Sequence, residues 1–204
     1  MVYISFTNSD GSRSKEVREK IVFQPVANME IVLYFVLLLT LGIGQSSAVN
    51  VDFDSRGLTT IPSIIDSNVT ILNLTNNSIT RITGSDFNWK YVYLENIGIR
   101  RNHIDYVEKG SFNGTVLSTI LIGGNKLDYM PDFCAVGATI KYIGLGGNNI
   151  RTVSSVDFTC LAALQAIYFG SNPIFSLPDL ISLFPSSFNR LNILNIQLNC
   201  TCEM

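Results

Sequence analysis

The chain has 204 residues, 47% of them hydrophobic, which is enough for a sizeable core and argues against disorder. Its formal net charge of −2, with Lys and Arg scattered singly, offers neither a basic stripe for a phosphate backbone nor an acidic tail, so nucleic acid is not an expected partner.

Residues 1–28 form a polar extension that includes SDGSRSKEVREK. An uncharged run of 14 residues follows, Ile31–Gly44. It is short for a membrane span, which takes about 20 residues, and suits the hydrophobic region of a secretory leader. Ser46 and Ala48 then supply the small residues of a cleavage site. On this reading translation starts at Met29, 29–48 is a signal peptide cleaved after Ala48, and 1–28 need not be translated. The alternative is a membrane anchor starting from Met1, because Glu30 stands where a leader usually carries a basic residue.

Beyond the leader, 49–68 reads as a terminal cap without cysteines and 69–199 as six repeats. The repeats appear when segments are aligned on an Asn that follows two alternating apolar residues. VTILNLTNNSI starts at Val69, LENIGIRRNHI at Leu94, LSTILIGGNKL at Leu117, IKYIGLGGNNI at Ile140, LQAIYFGSNPI at Leu164 and LNILNIQLNC at Leu191. Each fits L-x-x-L-x-L-x-x-N, with Asn77, Asn102, Asn125, Asn148, Asn172 and Asn199 in ninth place, at steps of 25, 23, 23, 24 and 27 residues. Places four and six alternate along a short strand and send both side chains inward, from Leu72 and Leu74 in the first repeat to Leu194 and Ile196 in the last. The ninth-place Asn then sits at a turn, where its buried amide can satisfy backbone groups that would otherwise go unpaired. Phe87, Phe112 and Phe158 close three coils ten residues after the Asn, and Phe133 does so two residues early.

These six registered segments resemble the extracellular leucine-rich repeat family, and the resemblance runs from Val51 to Met204. It implies an α/β-type solenoid: a horseshoe with a parallel sheet on its concave face and an irregular or short-helical convex side. The family usually closes both ends with cysteine-rich flanks. Here Phe53 stands where the first flank has a cysteine, and 200–204 looks like the start of a truncated C-terminal flank, with Cys200 and Cys202 too close to pair. Cys134 and Cys160 take places 18 and 21 of neighbouring repeats on the convex side. Coils stacked roughly 5 Å apart would bring them within disulfide reach, and buried free thiols are the other reading.

Four sequons open at Asn68, Asn73, Asn76 and Asn113 and are candidate glycan acceptors in a secreted protein; a fifth, at Asn199, belongs instead to the Asn ladder on this reading. His103, the lone histidine, follows ladder Asn102 and reads as a solvated loop residue. No set of acid, base and nucleophile converges with it, so catalysis and cofactors are not expected. Places three, five and seven point out of the concave face. There Arg100, Leu121, Tyr142 and Tyr168 form a track of large residues among glycines. Aromatic and Arg side chains dominate interface hot spots, so these four are the candidate partner-binding residues. The expected function is a secreted or cell-surface scaffold binding a protein or glycan on that face. A matrix or spacer protein without a defined ligand is the alternative. Membrane contact would come only from an anchor retained at 31–44 or from a span downstream of this sequence.

Overall fold

The computed structural model describes residues 48–177 and 184–196. The leader, the polar extension, ladder residue Asn199 and the flank at 200–204 lie outside the described residues.

One parallel sheet runs through the described chain. It takes one three-residue strand from each coil: β1 Asn50–Asp52, β2 Ile71–Asn73, β4 Asn96–Gly98, β6 Thr119–Leu121, β7 Tyr142–Gly144, β8 Ala166–Tyr168 and β9 Arg190–Asn192. All seven pair in one register: Val51, Leu72, Ile97, Ile120, Ile143, Ile167 and Leu191 stand side by side at place four. The strands are short because place eight of every coil turns left-handed. Positive φ occurs at Ser55, Asn76, Arg101, Gly124, Gly147, Ser171 and Asn195. Glycine takes that conformation freely, Asn tolerates it, and Arg101 is held there against its preference.

The ninth-place Asn bonds in three directions. Asn125 Nδ2 donates to the Ile99 carbonyl of the preceding coil at 2.9 Å and to the Ile122 carbonyl of its own coil at 2.8 Å. Its Oδ1 accepts the Ile104 N–H at 3.0 Å. Asn102, Asn148 and Asn172 repeat the pattern one coil at a time. Asn77 begins it by accepting the Arg56 and Leu58 N–H groups. Each amide thus fastens two coils and gives partners to backbone groups where the strand ends.

The interior is a continuous apolar stack in which places four and six of repeats one to five, together with Ile79, Ile104, Leu127, Ile150 and Ile174, are fully buried, while Val51, Phe53 and Leu191 of the end coils are partly buried against it. Behind it the convex side varies from coil to coil. Strands β3 Arg81–Ile82 and β5 Tyr106–Val107 pair in a second small sheet. A one-turn helix α1, Gly84–Phe87, follows β3, and 3-10 turns occupy Cys134–Val136 and Ser155–Asp157. Phe87 packs on Phe112 with ring centres 5.5 Å apart, and Phe112 stacks on Phe133 at 6.3 Å, so the early placing of Phe133 still fills its layer. Burial pushes the Tyr129 hydroxyl above its ordinary pKa while it pairs with both backbone groups of Val107. Cys134 and Cys160 form a disulfide with Cα atoms 5.3 Å apart.

The structure corrects two points of the repeat alignment. The segment 49–68 is more than a cap: β1 makes it a full coil, with Phe53 at place six packed against the core where a flank cysteine was expected. The last coil is registered three residues earlier than its motif implies. Leu191, not Leu194, pairs with Ile167 at place four, and Leu194 is 70% exposed rather than interior. Ile196 therefore holds the ninth place expected of Asn199, and the step from Asn172 becomes 24 residues, in line with the coils before it.

Candidate binding face

The solvent face of the sheet is made by places three and five, with place seven along its edge. In repeat one, Ile71 and Asn73 stand there; Asn73 Nδ2 donates to Asp52 Oδ1 and Asn76 Nδ2 to Asp54 Oδ1, both at 3.0 Å. From repeat two onward the face opens into a concavity of about 590 Å³. Arg100, Leu121, Tyr142 and Tyr168 all line it, so the structure brings the four sequence-predicted residues to one place.

Glycines make the floor. Gly144 is buried between strands, and a Cβ there would meet Leu121 Cδ2 at 3.0 Å, so the leucine leans over the space a side chain would fill. Gly123, Gly146 and Gly170 follow one another at place seven. A Cβ on each would stand 2.7, 3.0 and 3.0 Å from the carbonyl oxygen of the next coil. The tightest of these is at Gly123, where the coil as it stands leaves no room for a Cβ.

Two side chains that the repeat motif did not single out steady the tyrosines. The Tyr142 hydroxyl donates to Gln165 Oε1 at 2.8 Å, and Arg190 Nη1 reaches the Tyr168 hydroxyl at 3.5 Å. Gln165 holds place two, one coil on from Tyr142. Arg190 was missed because the motif began the last repeat at Leu191, whereas the observed register puts it at place three, on the open face. Arg101 also lines the concavity, from the left-handed place eight. The lining thus carries two arginines and no carboxylate, while Asp52 and Asp54 lie at the other end of the sheet.

Of the remaining predicted positions, Asn68 and Asn76 are exposed and Asn73 and Asn113 are half-buried. His103 is exposed, and its Nδ1 lies 2.9 Å from the Asn102 carbonyl. Among the described residues no helix is long and apolar enough to cross a membrane.

No family model matches the chain. It is 28% identical over 147 residues to Toll-like receptor 7 of Mus musculus, an alignment that covers 65% of this chain and 14% of the receptor. Its fold is similar to the crystal structure of the leucine-rich repeat domain of APL1B, with a TM-score of 0.59 and 17% identity over 89% of this chain and 49% of that one. With one parallel strand per coil, a ladder Asn in five of the seven coils and that likeness to a solved structure, the chain has the leucine-rich repeat fold.

Proposed function

We propose that this protein is an extracellular, non-catalytic binding scaffold that engages a protein partner through the concave face of repeats two to five. The observation that carries the reading is the convergence of Arg100, Leu121, Tyr142 and Tyr168 on one concavity floored by glycine. Small neighbours leave the tyrosine rings accessible, and their hydroxyls already have partners, so a ligand meets pre-oriented aromatic surface. Arg100, Arg101 and Arg190 favour a partner that presents acidic side chains. The extracellular setting draws on the uncharged run at 31–44, on the sequons, and on a disulfide of the kind that persists in oxidising compartments. It agrees with the likeness to part of Toll-like receptor 7.

The test is a screen of the secreted chain against purified ectodomains and secreted proteins, followed by titration of each hit. Tyr142→Ala combined with Tyr168→Ala should weaken the partner at least tenfold, about 1.4 kcal/mol, with an unchanged urea midpoint. Unchanged affinity of the folded double variant would move the site off this face.

A further inference from the structure

Trp89 belongs neither to the core nor to the concave face. It is the only tryptophan of the chain, and it is 75% exposed. Its backbone is nevertheless held firmly, at φ +56°, a conformation few side chains adopt. The Trp89 N–H donates to the Asn113 carbonyl at 2.9 Å, and Asn88 Oδ1 accepts the Asn113 N–H at 3.1 Å. Two consecutive residues of one coil therefore grip residue 113 of the next.

That grip lays the indole over Gly114. A Cβ on Gly114 would stand 2.5 Å from Trp89 Cε3 and 2.7 Å from Cδ2, so glycine is the residue that leaves room for the ring. The rest of the ring is open to solvent. Asn113 is also the first residue of the sequon Asn113-Gly114-Thr115. Its side-chain amide has no hydrogen-bond partner among the described residues, whereas the amides of Asn73 and Asn76 are tied to Asp52 and Asp54. An unengaged acceptor amide and an exposed aromatic ring thus belong to neighbouring residues, the ring over Gly114 and the amide on Asn113.

We propose that Trp89 is a stacking platform for an N-linked glycan on Asn113, an inference that rests on the secretory reading above. The C–H face of the first N-acetylglucosamine units packs on the open face of the indole, where partially positive hydrogens meet the electron-rich ring. Attachment forms a bond from Asn113 Nδ2 to the anomeric carbon of the sugar and breaks that carbon's bond to the diphosphate of a lipid-linked donor. One Nδ2 proton is lost and the lipid diphosphate leaves. The Thr115 hydroxyl is buried and donates to the Phe112 carbonyl at 2.8 Å, so transfer precedes closure of this coil.

Because Trp89 is the only indole, its fluorescence reads the site directly. The full chain is produced in mammalian secretory cells, occupancy at Asn113 is measured by peptide mass spectrometry, and Trp89 emission and acrylamide quenching are recorded. Asn113→Gln, and wild type stripped of glycans by an amidase, should both emit at longer wavelength and quench about twofold more readily, since one ring face is uncovered. Asn76→Gln should change neither. Equal quenching with and without an occupied Asn113 would overturn the platform. Exported protein glycosylated elsewhere but bare at Asn113 would overturn it while leaving secretion standing. A chain retained in the cell with no sequon occupied would overturn both.

Discussion

The concave face changes character between repeats two and three, and place seven marks the change. Thr75 and Arg100 hold that place in repeats one and two, whereas Gly123, Gly146 and Gly170 hold it in repeats three to five. The backbone frame is the same on both sides. The place-eight N–H donates to the place-seven carbonyl of the next coil, at 2.9 Å from Asn76 to Arg100 and at 2.8 Å from Gly124 to Gly146. What differs is the use of side chains. In the first half, Asp52, Asp54, Asn73 and Asn76 bond one another across coils, so their polar groups are already engaged. In the second half the edge is bare, and tyrosines stand over glycine. The face is closed on itself in the first coil and repeat one, and from Arg100 onward it is open.

The ladder should not distinguish the halves, and breaking it should be costly in either. Asn102→Ala and Asn148→Ala each leave two carbonyls and one N–H without their buried partner. Each should cost about 3 kcal/mol, in either half alike. Asn149→Ala, the exposed neighbour of a ladder residue, should stay within about 0.5 kcal/mol. Urea midpoints decide it: a much smaller loss at Asn102 than at Asn148 would mean that the halves are fastened differently.

On the convex side the halves differ in one covalent bond. Repeats one and four close alike, Asp86 accepting the Thr83 N–H at 2.6 Å and Asp157 the Ser154 N–H at 2.7 Å, but among the described residues only repeats three and four are joined by a disulfide, Cys134–Cys160. The bridge spans 26 residues, so Cys134→Ser with Cys160→Ser should cost about 2 to 3 kcal/mol, chiefly through the freed unfolded chain. Hydrogen exchange should locate the loss in repeats three to five. Uniform loss across all coils would show that the solenoid opens as one unit.

Much of this fold was legible because its polar bookkeeping repeats. An Asn every 23 to 25 residues, preceded by two alternating apolar residues, identified five coils in the register observed. It failed at both ends, where the ladder lacks an Asn. The first coil has Arg56 at place nine, and only the backbone N–H of that residue joins the ladder, through Asn77. In the last coil Leu194 and Asn199 imitate the motif, yet left-handed Asn195 marks place eight and sets Ile196 at nine. A turn that requires positive φ is a stronger marker of register than an apolar residue, since many positions accept leucine and few accept that backbone. The same slip hid Arg190, while Gln165 was hidden because its partner, the Tyr142 hydroxyl, is reached across coils and leaves no mark in a one-coil pattern.

The finest test of the difference between the halves is a single methyl group at place seven. In Gly123→Ala the new Cβ would stand 2.7 Å from the Gly146 carbonyl oxygen, which already accepts the Gly124 N–H at 2.8 Å. That oxygen is backbone and cannot swing away as a side chain would, so the coils must part by a few tenths of an ångström. The displacement should cost about 1 to 2 kcal/mol, typical of small insertions into a packed site. Arg100→Ala keeps the Cβ that repeat two already accommodates, so its stability should change by less than about 0.5 kcal/mol. The two variants should also separate in binding: parting the coils displaces Leu121 and Tyr142 together, whereas truncating Arg100 removes only its own charge. Thermal midpoints and affinities measured on both variants check this. If Gly123→Ala proved as stable as Arg100→Ala, coil spacing would not depend on glycine, and the tyrosine track would owe its openness to something other than the glycine floor.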